Sequence, residues 1–226
     1  MAFKYETVVP WGRSFEEYQR MFALTEKDLN LKIIGCGDGP ASFNAHLAQQ
    51  GRVVISCDPL YQLTAKQIQA RIEATYTEVI EQTRQNQAQF VWTAIKSPDT
   101  LGQIRLSAMQ TFLADYDQGK QRGRYVAGEL PVLPFALAAF DLALCSHFLF
   151  LYSDQLSLAF HQQAIEAMCR VAREARIFPL LTYNAEPSPF VEPVLEKLTE
   201  DGYRVSIERV AYEFQRGGNQ MLRVER

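Results

Sequence analysis

The sequence has little cysteine, no basic excess and no long apolar run, and each shortage removes a class of protein. Its four cysteines, Cys36, Cys57, Cys145 and Cys169, form no CxxC pair, so neither a zinc site nor a thioredoxin-like motif is indicated. Three of them fall in or beside predicted strands, where a free thiol acts as a small hydrophobe, and a reducing compartment suits them. Lysine and arginine number 23 against 26 acidic residues, a net charge of −3, and this lacks the basic footprint of non-specific nucleic-acid binding. The longest apolar stretch, residues 135–152, contains Asp141 and His147 and falls short of the roughly 20 uninterrupted residues that a membrane span needs. The first 13 residues lack a basic start followed by an apolar run, which reads against a secretory signal. Internal repeats and low-complexity tracts are absent. The expectation is a cytoplasmic globular chain with no membrane segment and no metal.

What is present is a regular alternation of strands and helices. Ser14 and Glu17 form a capping box before Phe15, Tyr18 and Phe22. Residues 31–34 and 52–56 read as strands around a helix at 41–49. Thr64 opens a long helix carrying Ile68, Ile72, Tyr76, Val79 and Ile80 on one stripe. Ser97-Pro98 opens another, with Leu101, Ile104, Ala108 and Phe112 buried and Gly119 at its end. Tyr125 and Val126 begin a weak third strand and residues 141–145 make the fourth. Ser153 is expected to cap the next helix, followed by a strand at 176–181 and a helix at 192–201. Residues 203–214 and 220–224 read as a hairpin joined by Gly217-Gly218-Asn219. This order predicts one α/β domain over residues 1–226, doubly wound around a Rossmann-like, mostly parallel seven-stranded sheet with a C-terminal antiparallel hairpin. It includes an N-terminal helical segment at 1–30 and a helical insertion at 59–124, read as a lid.

The sharpest local signal is Gly35-Cys36-Gly37-Asp38-Gly39, between a strand and a helix. Residues without Cβ let the chain turn sharply and a ligand sit against its backbone, next to a helix end with free N–H groups. Asp58 follows Gly35 by 23 residues, at the end of the second strand, where a carboxylate can accept both hydroxyls of a ribose. The pair points to an adenosine-containing ligand. The third glycine of a dinucleotide fingerprint is missing, since Pro40 follows Gly39, and no Gly-Lys-Ser/Thr of a P-loop is present.

These residues resemble the class I S-adenosylmethionine-dependent methyltransferases. Residues 33–39 look like their first motif, and Ser56-Cys57-Asp58-Pro59 like the end of their second strand. The stretch from Gly128-Glu129-Leu130-Pro131 to Phe135, followed by Phe140-Asp141-Leu142, is similar to a third region. The resemblance covers residues 31–58 and 124–226. It implies S-adenosyl-L-methionine as cofactor, with Gly35, Cys36, Gly37 and Gly39 against its methionine and ribose. It places Asp58 and Pro59 at the sugar, Glu129 and Leu130 at the adenine, and Cys145 and Ser146 beside the reactive methyl. The family's acid two residues before the first glycine is here Ile33, so the cofactor's amino group needs another partner.

Methyl transfer needs an aligned acceptor in a dry site, and a base only where the acceptor sheds a proton. His147, just past the fourth strand, is the candidate base; His46 and His161 fall within helices and read as structural. Arg13 suits the cofactor's carboxylate, Trp11 a cover over the site, and Tyr152 the acceptor pocket. The insertion's stripes suit a private core or a homodimer face, with Tyr61, Trp92, Phe112 and Tyr116 as candidate pocket residues. The acidic balance, and Cys145-Ser146-His147-Phe148 in place of Asn-Pro-Pro-Tyr, favour a small-molecule acceptor. A nicotinamide-dependent oxidoreductase and a non-catalytic cofactor-binding protein are the competing readings.

Overall fold

One strand, β1 (Ile33–Cys36), organises the molecule from the centre of a seven-stranded sheet. On one side lie β2 (Val54–Cys57) and β3 (Tyr125–Val126). On the other lie β4 (Phe140–Ser146), β5 (Ala172–Phe178), β7 (Gln220–Glu225) and, at the edge, β6 (Arg204–Arg209). The first five strands run parallel, and β7 is antiparallel to both neighbours. The structure is a computed structural model and describes residues 9–226; residues 1–8, with most of the segment read for targeting, lie outside the described residues.

The central strands are buried on both faces, as parallel strands under helices must be. Along β4, Leu142 and Leu144 join one core with Phe15, Tyr18 and Phe43, while Ala143 and Cys145 join the other with Ile165 and Met168. The first face carries α1 (Phe15–Met21) and α2 (Phe43–Gln49); the second carries α5 (Leu158–Val171) and α6 (Val191–Glu200). All four cysteines are buried free thiols. Among the described residues, no helix is long and apolar enough to cross a membrane.

The capping box at Ser14 and Glu17 forms, as does a second at Thr64 and Gln67, and Ser97 caps its helix ahead of Pro98. Elsewhere the structure departs from the expected boundaries. Ser153 is not the cap of α5: its hydroxyl is taken by Phe150 O (2.7 Å) and Ser188 Oγ (2.7 Å), and Ser157 accepts from Phe160 N instead. The C-terminal pairing is antiparallel as expected, but β6 stops at Arg209 and the connection is longer than Gly217-Gly218-Asn219. The strand ends short of Phe214 because Tyr212 and Phe214 leave the sheet, Tyr212 packing on α1 and Phe214 stacking on Phe90 at 4.8 Å. Gly119 does not end its helix; there is no room for a Cβ, which would lie 2.4 Å from Tyr125 Cε2.

The region expected to be a lid is largely part of the body. α4 (Pro98–Gln121) packs on α2 and β3 and serves as the crossover between β2 and β3. With α3 (Ala65–Gln85) it encloses Tyr61, Ile68, Ile72, Phe112, Tyr116 and Tyr125 in a third core. Tyr116 donates to the carbonyls of Tyr61 (3.0 Å) and Leu63 (2.9 Å), binding that core to the end of β2. What a simple crossover does not require is α3 and the segment between α3 and α4.

Candidate functional site

Parallel register brings the carboxyl ends of β1, β2 and β4 to one edge, with Gly35 opposite Ser56 and Leu144. The chain order reverses between β1 and β4, and the crevice at such a point is where open α/β sheets take ligands. A cleft of about 670 Å³ opens there, lined by the glycine loop, Asp58, Glu129, Ser146 and His147. That size lies within the ordinary range for small-molecule sites, roughly 300–1,000 Å³.

The loop's conformation accounts for its glycines. Gly37 (φ +67°) and Gly39 (φ +52°) are left-handed, the region that favours glycine. A Cβ on Gly37 would come within 3.2 Å of the Phe148 ring, while one on Gly39 would meet nothing within 4 Å. Gly35 is held differently. A Cβ there would sit 1.9 Å from Asp38 Oδ2, so the space beneath β1 belongs to the Asp38 carboxylate. Tyr18 donates to Asp38 Oδ1 (2.8 Å) and Ser56 Oγ to Oδ2 (2.6 Å). Burial pushes the Asp38 carboxyl up to about 6, against the lowering effect of these two bonds.

Asp58 is aimed by backbone. Its Oδ2 accepts from Gly39 N (2.8 Å) and its Oδ1 from Leu60 N (2.7 Å), which locks the carboxylate and leaves a lone pair on each oxygen. Burial raises this group to about 6 as well. Leu130, Phe148, Leu156 and Phe160 give the cleft apolar lining, Phe148 and Phe160 meeting at 6.2 Å, and the lining residue Glu129 is exposed.

At the end of β4, His147 takes a left-handed backbone (φ +52°) and its N–H donates to Phe178 O at 2.6 Å. Its Nδ1 lies 2.9 Å from Ser146 Oγ, whose hydroxyl points to Met21 Sδ at 3.9 Å. Either ring tautomer satisfies this contact; with Nδ1–H donating to Ser146 Oγ, Nε2 is the ring's basic atom. Burial, with Arg13 and Arg105 nearby, pulls the imidazole well below its usual range, so the ring is neutral at physiological pH.

Residues 9–13 cross the loop as a strap. Ser42 N donates to Arg13 O (3.0 Å), and Gly12 passes so close to Pro40 that a Cβ would fall 2.1 Å from its carbonyl oxygen. Trp11 meets Tyr76 of α3 at 5.8 Å. Behind the strap lies an inner cavity of about 120 Å³, walled by Val79, Phe90, Leu101, Arg105, Tyr152 and Phe214 among others. Val9, Trp11, Arg13 and His147 line both spaces and form the partition. Arg13 donates to Trp11 O (2.5 Å), while its shielded Nε has no partner among the described residues. Arg105, 1% exposed, pairs with Glu17, which also accepts from Tyr212 OH (2.8 Å) and Ser14 N (2.9 Å).

The structure thus gathers Trp11, Arg13, Gly37, Gly39, Asp58, Pro59, Glu129, Leu130, Ser146 and His147 around one cleft. Gly35, Cys36 and Cys145 do not line it. Gly35 backs onto Asp38, and the two thiols point into the α5 core, fully buried. The helix end expected beside the ligand is also displaced: α2 begins only at Phe43, so no residue of α2 lines the cleft. His46 stacks on Phe15, and both ring nitrogens of His161 meet backbone carbonyls. Tyr152 lines the inner cavity; Tyr61, Trp92, Phe112 and Tyr116 do not. Sequence reasoning missed Asp38, Tyr18, Phe148 and the Glu17–Arg105 pair. An acid between two required glycines was a signal for the first; nothing local marks a pairing across 88 residues.

No protein-family model matches the chain. The uncharacterized protein MJ0045 of Methanocaldococcus jannaschii is 32% identical over 216 residues, 95% of each chain. Among solved structures, magnesium protoporphyrin IX methyltransferase of Synechocystis PCC 6803 with bound SAH is 14% identical, over 89% of this chain and 77% of that one, at a TM-score of 0.42. A SAM dependent methyltransferase from Aquifex aeolicus is 14% identical, over 93% and 87%, at 0.41. The PH0226 protein from Pyrococcus horikoshii OT3 is 11% identical, over 93% and 88%, at 0.48. With nearly a third of its residues matched over almost its whole length, the chain belongs to the family of the Methanocaldococcus jannaschii protein.

Proposed function

We propose that the protein is an S-adenosylmethionine-dependent methyltransferase that acts by direct displacement on a small-molecule acceptor. The observation that carries this reading is the Asp58 carboxylate, fixed by Gly39 N and Leu60 N at the floor of the cleft with one free lone pair on each oxygen. Two acceptors on one rigid carboxylate match the paired hydroxyls of a ribose. The apolar lining at Leu130, Leu156 and Phe160 suits a purine, with Glu129 available to its amino group. Asp38 offers a buried carboxylate to an ammonium, in place of the acid missing at Ile33, and Arg13 offers a guanidinium to a carboxylate. The cleft therefore fits a nucleoside with an amino-acid tail.

When bound, the cofactor supplies a methyl group on a sulfonium, an electrophile that needs no activation by metal or covalent enzyme group. The chain's task is positioning, worth roughly 7–11 kcal/mol in well-oriented cases. Phe148, Trp11 and the strap exclude water from the partition, and neutral His147 accepts a proton at Nε2 from an acceptor that must lose one. The absence of α2 residues from the cleft removes the usual seat of a pyrophosphate and disfavours the nicotinamide reading. Calorimetry with S-adenosylhomocysteine and with NAD tests the proposal: heat with the first alone supports it, and heat with NAD alone overturns it.

A further inference from the structure

The inner cavity adjoins the nucleoside cleft, sharing Val9, Trp11, Arg13 and His147 with it, and its walls have an unusual composition. Most are apolar: Val79, Leu101, Phe90, Phe214 and Trp11. Against them stand two guanidinium groups, Arg13 and Arg105, both of which line the space. Each keeps an Nε shielded from solvent with no partner among the described residues. Among the described residues one carboxylate answers them. Glu17 pairs with Arg105, and its oxygens already serve Tyr212 OH and Ser14 N. The neighbouring His147 is neutral and Tyr152 keeps its phenolic proton. Among the described residues one positive charge is thus left over beside a mostly apolar cavity, where an unpaired charge is costly. A cofactor does not remove the excess: with its ammonium on Asp38 and its carboxylate on Arg13, its sulfonium leaves one positive charge beside the cavity.

We propose that the inner cavity binds the methyl acceptor and that this acceptor is a small, flat molecule bearing a carboxylate, its anionic end held by Arg105. A volume of about 120 Å³ holds on the order of ten water-sized units, so the acceptor has roughly ten non-hydrogen atoms. Its other end is a hydroxyl turned to the partition. There the acceptor oxygen gains the methyl carbon, the sulfur keeps the electron pair of the broken bond, and the hydroxyl proton goes to His147 Nε2. The inference rests on the proposed function and narrows its substrate class.

The test uses the full chain without added cofactor, and a separate titration with S-adenosylhomocysteine distinguishes failure of the cofactor reading from failure of this one. Benzoate and para-hydroxybenzoate are titrated beside their neutral isosteres, benzamide and para-hydroxybenzamide, with calorimetry and tryptophan fluorescence as readouts. The carboxylates are expected to bind at least about tenfold tighter than the amides. The selectivity should vanish in Arg105→Gln, which leaves Arg13 and Glu17 to balance one another, while S-adenosylhomocysteine affinity stays unchanged. Should that variant fail to fold, Leu101→Trp fills the cavity without altering charge and should abolish probe binding alone. Equal binding of acid and amide, no binding of either pair, or selectivity that survives both variants would overturn the inference.

Discussion

Replacing Gly35 by alanine tests the packing beneath the site. The new Cβ would lie 1.9 Å from Asp38 Oδ2 and 2.2 Å from Cγ, so the whole carboxylate must move. Moving it breaks the bonds from Tyr18 OH and Ser56 Oγ, each a hydrogen bond to a charged group worth about 1.5–3 kcal/mol. The expected loss is about 3–6 kcal/mol, a large share of the 5–15 kcal/mol typical of a domain. For a chain of this size that lowers the melting midpoint by roughly 10–20 °C. Circular dichroism melts of Gly35→Ala, Asp38→Ala and the double variant read it directly. The two changes should not add, because removing the carboxylate makes room for the methyl group, with a coupling of at least about 1 kcal/mol. A midpoint for Gly35→Ala within about 2 °C of wild type, or strict additivity, would refute the packing described here.

Three further outcomes follow from the cleft. Asp38 and Asp58 are both raised to about 6, so cofactor affinity should fall as pH drops through that value, by about tenfold at pH 5 for each carboxylate that must be ionised. The sign for the ligand-free fold is opposite: a carboxyl raised above its unfolded value stabilises the protein most at low pH and loses that contribution as pH rises through about 6. The melting shift given by S-adenosylhomocysteine should therefore shrink on acidification, and a constant shift from pH 8 to pH 5 would contradict it. His147→Ala should lower turnover by about 10²–10⁴-fold with the natural acceptor while cofactor affinity stays within threefold; unchanged turnover removes the imidazole from the reaction. Arg13→Gln should weaken cofactor binding by at least about tenfold in calorimetry, since it removes the guanidinium proposed for the carboxylate; an unchanged affinity would assign Arg13 to the inner cavity alone.

Local signals carried most of the fold. The capping box at Ser14 and the helix starts at Thr64 and Ser97-Pro98 are written in adjacent residues, and each appears where expected. The alternation of strands and helices sufficed for the sheet, down to its antiparallel β7. Errors arose where distant contacts outweigh local pattern. Ser153 looks like a cap but finds Ser188; Tyr212 and Phe214 look like strand residues but are drawn off by α1 and by Phe90. The insertion read as a lid because its helices are long, whereas α4 is held by α2 and β3. Within the site, the glycine loop and Asp58 were legible because the turn and the carboxylate act through their own backbone. The inner cavity was not, because it is assembled from the strap, α3, α4 and the hairpin connection, segments far apart in sequence.

The central claim is that a rigid carboxylate at the end of β2 grips a ribose. The most direct measurement is calorimetric titration of S-adenosylhomocysteine into wild type and Asp58→Asn at pH 7.5. An amide in that place loses the charge and turns an N–H₂ group towards Leu60 N or Gly39 N, so affinity should fall by about 100-fold, or about 2.7 kcal/mol. Wild type that gives no heat, or an Asp58→Asn protein that binds as tightly as wild type, would contradict the account.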